Sequence, residues 1–284
     1  MTDTPASPLP SSASAGIRRP LTVAAVQMVS TPDVAANLDA AARLIARAAD
    51  DGARLVALPE YFCLLGQRDA DKLAIRERDG DGPIQTFLAE CAQRHRIWLL
   101  GGTVPLDSGS PTRVRNTSLL YGPDGTRRAR YDKIHLFGFQ RGAERFDESA
   151  TIAAGRTPVV ADVEGWRLGL SVCYDLRFPE LYRTLSPVDL ILVPSAFTYT
   201  TGQAHWDLLL RARAIENQCY VLAPAQGGEH PNGRRTWGRS MLVDPWGEVV
   251  ACIDEGEGVA AGVVDPERIA DVRQSLPALT HRVM

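Results

Sequence analysis

At 284 residues, 45% hydrophobic and 23% charged, the chain has the makeup of an ordinary globular protein, long enough to bury a core without disulfide or metal staples. Its formal charge of -3 excludes the basic field of a nucleic-acid binder. The five cysteines are scattered with no C-x-x-C spacing, which excludes a disulfide framework and a zinc knuckle.

Residues 1–20 are rich in Pro, Ser and Ala and read as a disordered tail, with a single domain expected over 21–284. Arg18 and Arg19 precede an apolar stretch, but Gln27 cuts it below the length of a signal core, and no run is long enough to span a membrane. A cytoplasmic protein is expected, its partners a small molecule and further copies of itself. Segment 21–29 (LTVAAVQMV) reads as a buried strand, and 33–51 as a helix with Asp33 as N-cap and Gly52 as stop. Leu55 to Leu58 form another strand, 83–95 a helix, and 97–104 (IWLLGGTV) a strand kinked at Gly101-Gly102. This β-α-β-α-β order is that of a layered α/β fold.

Residues 116–121 and 127–133 flank Gly-Pro-Asp-Gly, a hairpin signal. Then come a strand at 166–173 (WRLGLSVC), a short helix near 178–185 with Pro179 in its first turn, and a strand at 189–197. A helix over 203–218, a strand over 219–226 and a hairpin around 244–247 complete the pattern, with Gly227-Gly228 read as a loop. The halves resemble each other coarsely, and two sheets packed face to face with helices outside are expected.

Three residues stand where chemistry is possible. Cys173 ends an apolar strand just before a helix, where a helix dipole favours a thiolate; alternatively it is a buried packing residue. Glu60 directly follows the strand and proline of LVALPE, where a carboxylate is working, paired or capping the next turn. Lys133 lies between Tyr131 and the apolar Ile134, Leu136 and Phe137, and is either functional or snorkelling. Taken together they pose an electrostatic problem. Moving a proton from a thiol of pKa about 8.5 to a carboxylate of about 4.3 costs roughly 6 kcal/mol in water. Burial raises the carboxylate's pKa and an ammonium lowers the thiol's, which narrows that gap. The ammonium and the Tyr174 N–H are also donors for a developing oxyanion.

The segments ALPEYF (57–62), YDKIHLF (131–137) and VCYDLRFPELYR (172–183) resemble, in order, the three signature stretches of the nitrilase, or carbon–nitrogen hydrolase, superfamily. The resemblance runs from about residue 21 to the end. It implies an αββα four-layer sandwich of two mixed sheets, with subunits paired as a homodimer or homotetramer. It further implies Glu60 as base, Lys133 as oxyanion donor and Cys173 as nucleophile of an amidase. RFDES (145–149) is similar to the segment of an assisting glutamate, pointing to Glu148, with Glu144 as rival.

Segments 194–226 and 238–251 are similar to the Nit branch, which contains deaminated-glutathione amidases and omega-amidases, and RARAIENQCYVLAPAQGGEH is closer to the former. The implied reaction splits deaminated glutathione into 2-oxoglutarate and Cys-Gly through a thioester, with hydrolysis of alpha-ketoglutaramate as the alternative. Such substrates carry carboxylates, and Arg177, four residues past the cysteine, is the expected anchor unless it pairs with Glu180. His205, Trp206 and Tyr199 are expected at the pocket wall. Other readings are a thiol protease using His135 or His205, a non-catalytic scaffold, and a redox-sensing thiol. No motif calls for a metal, a nucleotide or any other cofactor.

Overall fold

The computed structural model describes residues 18–142 and 144–283, so most of the expected N-terminal tail lies outside the described residues. Residues 18–20 do not continue it. Arg18 pairs with Asp189, and the Trp166 indole donates to the Arg19 carbonyl at 3.1 Å.

The first half begins with strand β1 (Leu21–Gln27) and helix α1 (Val34–Asp50), whose N-cap Asp33 accepts from the Ala36 N–H at 3.2 Å. Strand β2 (Leu55–Ala57), helix α2 (Pro83–His95) and strand β3 (Trp98–Leu100) follow. Strands β4 (Val104–Asp107), β5 (Val114–Tyr121) and β6 (Arg127–Asp132) come next, then a small hairpin, β7 (Gly138–Arg141) and β8 (Glu144–Asp147). The second half runs β9 (Val159–Val163), β10 (Trp166–Leu170), helix α3 (Pro179–Leu185), β11 (Leu190–Leu192), helix α4 (Tyr199–Asn217) and β12 (Tyr220–Ala223). A second hairpin, β13 (Gly227–Glu229) and β14 (Arg235–Trp237), precedes β15 (Met241–Val243) and β16 (Val249–Cys252). Strand β17 (Gly258–Val264) and helix α5 (Pro266–Ser275) close the chain.

One sheet has the order β17-β1-β2-β3-β5-β4 with β6 also on β5, and the other β16-β15-β12-β11-β10-β9. In each, three parallel strands joined by helical crossovers form the centre, flanked by antiparallel strands. Alternation along β1 shows how the layers arise. Val23 and Ala25 join Leu168, Leu170 and Leu222 in the core between the sheets, while Ala24 and Val26 pack with Ile45 and Leu88 beneath α1 and α2. Trp206 and Leu210 of α4 cover the other sheet, giving the expected αββα sandwich. Among the described residues no helix is long and apolar enough to cross a membrane.

Several local expectations need correction. The segment 97–104 is two strands, because Gly102 takes φ 52° and a Cβ there would lie 2.1 Å from the Pro59 carbonyl oxygen. The helix expected from 203 starts at Tyr199, capped by Thr198 and seated by Trp237 against Gly202. Gly227-Gly228 belongs to β13 rather than a loop.

Candidate active site

Each chemically notable residue stands just past the end of a strand. After β2, Leu58 N–H still bonds the Leu100 carbonyl at 2.9 Å, then Tyr61 turns the chain at φ 58°, its N–H on the Thr103 hydroxyl at 2.9 Å. The intervening Glu60 is buried. Its Oε1 accepts from Asn116 Nδ2 and Lys133 Nζ, each at 2.8 Å, and its Oε2 from the Ala196 N–H at 3.1 Å. Lys133 follows β6 and is fixed by backbone bonds to Asn116 and Gly155. Its Nζ also reaches Glu148 Oε1 at 2.9 Å and Oε2 at 2.8 Å. Glu148, just past β8, accepts in addition from the Tyr61 hydroxyl and the Phe137 N–H, both at 2.7 Å.

Cys173 lies past β10 at φ 50°, a rare conformation for a side chain-bearing residue, and opens a 3₁₀ turn through Arg177. The buried carboxylate of Asp175 holds this turn. It accepts from the Val172 N–H at 2.9 Å, the Tyr131 hydroxyl at 2.7 Å, and the N–H and ring nitrogen of His135 at 3.0 and 2.8 Å. Asp175 thereby ties the cysteine turn to the segment carrying Lys133. Tyr174, whose N–H is the expected second oxyanion donor, follows Cys173 in this turn.

Burial pushes the Glu60 carboxyl above the usual glutamate range, against the pull of Lys133. Burial opposes the charge on Lys133 too, but Glu148 and Glu60 outweigh it and hold the ammonium's pKa well above that of an ordinary lysine. Glu148 is also opposed by burial, yet Lys133, the Phe137 N–H and the Tyr61 hydroxyl keep it below the usual range. For Cys173, burial and then the negative Glu60 push the thiol well up, and Lys133 does not reverse this. The expectation of a thiolate favoured by its neighbours is corrected: burial and the nearby carboxylates favour the neutral thiol. Helix α3 does not alter that, since it begins only at Pro179.

Glu60, Glu148 and Cys173 floor a cavity of about 390 Å³ that Tyr199 and Glu144 also line. Glu144 stands away from Lys133, accepting from the Thr200 hydroxyl at 3.1 Å, so the geometry separates the two rival glutamates. Arg177 lies in a smaller recess adjoining Cys173, its guanidinium 5.3 Å from the Phe197 ring and 3.2 Å from His205 Nδ1; it is not paired with Glu180. His205 is exposed and meets Arg177 rather than lining the cavity, and Trp206 is core. The other histidine, His135, stacks on Phe178 at 3.7 Å and serves Asp175, so neither occupies a base position on the sulfur.

Sequence reasoning missed the site partners Asn116, Tyr61 and Asp175, and also Lys72 and Arg234, which line the cavity. The polar Asn116 at the head of an apolar strand and Tyr61 beside Glu60 were visible signals. Lys72 and Arg234, in exposed-looking segments, carried none.

The carbon-nitrogen hydrolase family model matches residues 22–274. A deaminated glutathione amidase of Synechocystis sp. is 44% identical over 271 residues, covering 93% of this chain and 99% of that protein. Omega-amidase NIT2 of Xenopus tropicalis is 37% identical, over 90% of this chain and 93% of its own length. Among solved structures, Saccharomyces cerevisiae Nit3, a member of branch 10 of the nitrilase superfamily, superposes with a TM-score of 0.85 at 33% identity, covering 94% of this chain and 97% of that one. A family model matched from residue 22 to 274, with relatives 37–44% identical over nine-tenths of the chain, places the protein in the carbon–nitrogen hydrolase family.

Proposed function

We propose that the chain is a cysteine-dependent amidase that hydrolyses deaminated glutathione to 2-oxoglutarate and Cys-Gly. The observation that supports it is that Glu60 and Cys173 line one cavity while the buried Lys133 Nζ bonds Glu60 at 2.8 Å. The substrate follows the relatives of that name, with Arg177 sharing a small recess with Cys173.

The Cys173 sulfur attacks the amide carbonyl while its proton passes to the Glu60 carboxylate. Transfer accompanies attack, because the thiol's raised pKa leaves little preformed thiolate. The carbonyl electron pair moves to oxygen, which accepts from the Lys133 ammonium and the Tyr174 N–H. On collapse the carbon–nitrogen bond breaks, the amine takes the proton from Glu60, and a thioester remains. Water then gives a proton to Glu60 and its oxygen attacks the thioester. The sulfur leaves with the proton that Glu60 held, releasing the acid. Glu148 keeps Lys133 charged and pointed at the oxyanion. Arg177 holds the carboxylate of the keto acid, with His205 steadying the guanidinium and Tyr199 walling the cavity.

Alpha-ketoglutaramate is the second reading, supported by the omega-amidase relative. A redox sensor needs a depressed thiol pKa, the reverse of what burial imposes here. A cytoplasmic homodimer or homotetramer belongs to the same proposal. In a rapid-quench experiment with deaminated glutathione, mass spectrometry is expected to find a 2-oxoglutaryl group on Cys173 and none in Cys173→Ala, which is also inactive. Full turnover by the alanine variant overturns the mechanism.

A further inference from the structure

We propose that Lys72 and Arg234 form an anion site on the leaving-group side of the cavity, so that the protein selects amides ionised at both ends. This rests on the amidase reading above and adds the specificity of its amine half. Cys173 borders both spaces, the recess holding Arg177 and the larger cavity. The recess has room for only about 10 Å³ against about 390 Å³ in the cavity, so an amide whose carbonyl meets the sulfur can seat a dipeptide-sized amine only in the larger space.

Lys72 lies on the wall of that space. Its nearest polar partner is the Thr151 hydroxyl at 3.4 Å, and its ammonium stands 5.2 Å from the Tyr61 ring centre. Among the described residues it makes no ion pair. A sheltered ammonium with no bonded counter-ion is costly: burial draws its pKa down, and the carboxylates of Glu148 and Asp69 oppose this without reversing it. An incoming carboxylate offsets that cost.

Arg234 projects from the turn between β13 and β14 and is tethered through Nη2 to Asp69 at 2.6 Å. Asp69 opens the 3₁₀ turn Asp69–Leu73 that also bears Lys72, so one short segment sets both cations. The guanidinium's other nitrogens remain available to a carboxylate. Glu144 and Asp147 on the β8 side of the cavity repel an anion, while Arg68 and Arg235 join Lys72 and Arg234 in its lining. The site thus reads a carboxylate at the far end of a short peptide-like amine, such as the terminal glycine of Cys-Gly.

The test compares deaminated glutathione with its glycine carboxamide, which keeps the shape and loses the charge. In wild type, KM for the carboxamide is expected to be about tenfold or more higher, the worth of one charge-assisted hydrogen bond. In Lys72→Met and in Arg234→Gln the ratio is expected to fall toward one. The same ratio is read as Kd by calorimetry on Cys173→Ala with and without Lys72→Met, which needs no turnover and reports folded, binding-competent protein. A wild type that hydrolyses both substrates without preference, or variants that keep the preference, overturn the anion site and leave the amidase reading intact. A wild type that hydrolyses neither but binds the acid more tightly, with the preference lost in Lys72→Met, overturns the amidase reading and upholds the site.

Discussion

Replacing Lys133 with methionine removes the ammonium while keeping the side chain's length. Its Nζ lies 2.8 Å from Glu60 and 2.8 and 2.9 Å from the two Glu148 oxygens, with the side chain fully buried. Taking one partner from a buried ion pair costs about 3–5 kcal/mol, because the remaining charge is stranded. Here two carboxylates are stranded, and each escapes by binding a proton, which makes the loss depend on pH. In wild type Glu148 is held below its usual range, so its stabilisation is present above the unfolded-state pKa and lost as pH falls through the folded one. In the variant, burial without the ammonium lifts the folded pKa instead. The penalty is then full at neutral pH and fades as pH drops through that raised value. Urea unfolding should therefore show a loss of about 3–5 kcal/mol near pH 7 that shrinks toward about pH 5. Turnover should drop about a hundred- to a thousandfold, as for removal of an oxyanion donor. A stability loss equal at both pH values would refute the claim that stranded carboxylates carry the cost.

Two further outcomes are expected. The acid limb of kcat/KM marks Glu60 taking up its proton, and since burial raises that carboxyl the limb should lie above the usual glutamate value of about 4.3; a limb at or below that value contradicts Glu60 as the base. Gly102→Ala puts a methyl group 2.1 Å from the Pro59 oxygen at φ 52°. It should lower stability by more than about 2 kcal/mol and disturb Glu60 next door, measured as a shifted urea midpoint; an unchanged midpoint removes that contact from the argument.

The placement of Glu60, Lys133 and Cys173 was legible because each ends an apolar or alternating run, and a strand's end is where its side chains leave the core. Choosing between Glu148 and Glu144 was not possible from spacing, since the choice is made by the Phe137 N–H and the Tyr61 hydroxyl, which are brought in by folding. The start of α4 was hidden because Tyr199, Thr200, Thr201 and Gly202 are weak helix formers. Trp237 packed on Gly202 overrides that preference. The hairpin β7–β8 is mostly exposed and short, so it lacked the apolar alternation that betrays a strand. Helix α5 was overlooked although Asp265 and Pro266 announce it. The state of the thiol was misjudged for a different reason. Sequence names the charged neighbours but not the depth of burial, and depth decides their balance.

The two sheets contribute unequally to the centre. Glu60, Lys133 and Asn116 come from one, while Cys173 and the Ala196 N–H that orients Glu60 come from the other. Even the backbone oxygen of Glu60 is gripped from across the seam, by Gln226 at 3.1 Å. Catalytic competence is therefore a gauge of how the halves are docked: loosening the seam would misalign proton donor and acceptor while each half still kept its own strands and helices.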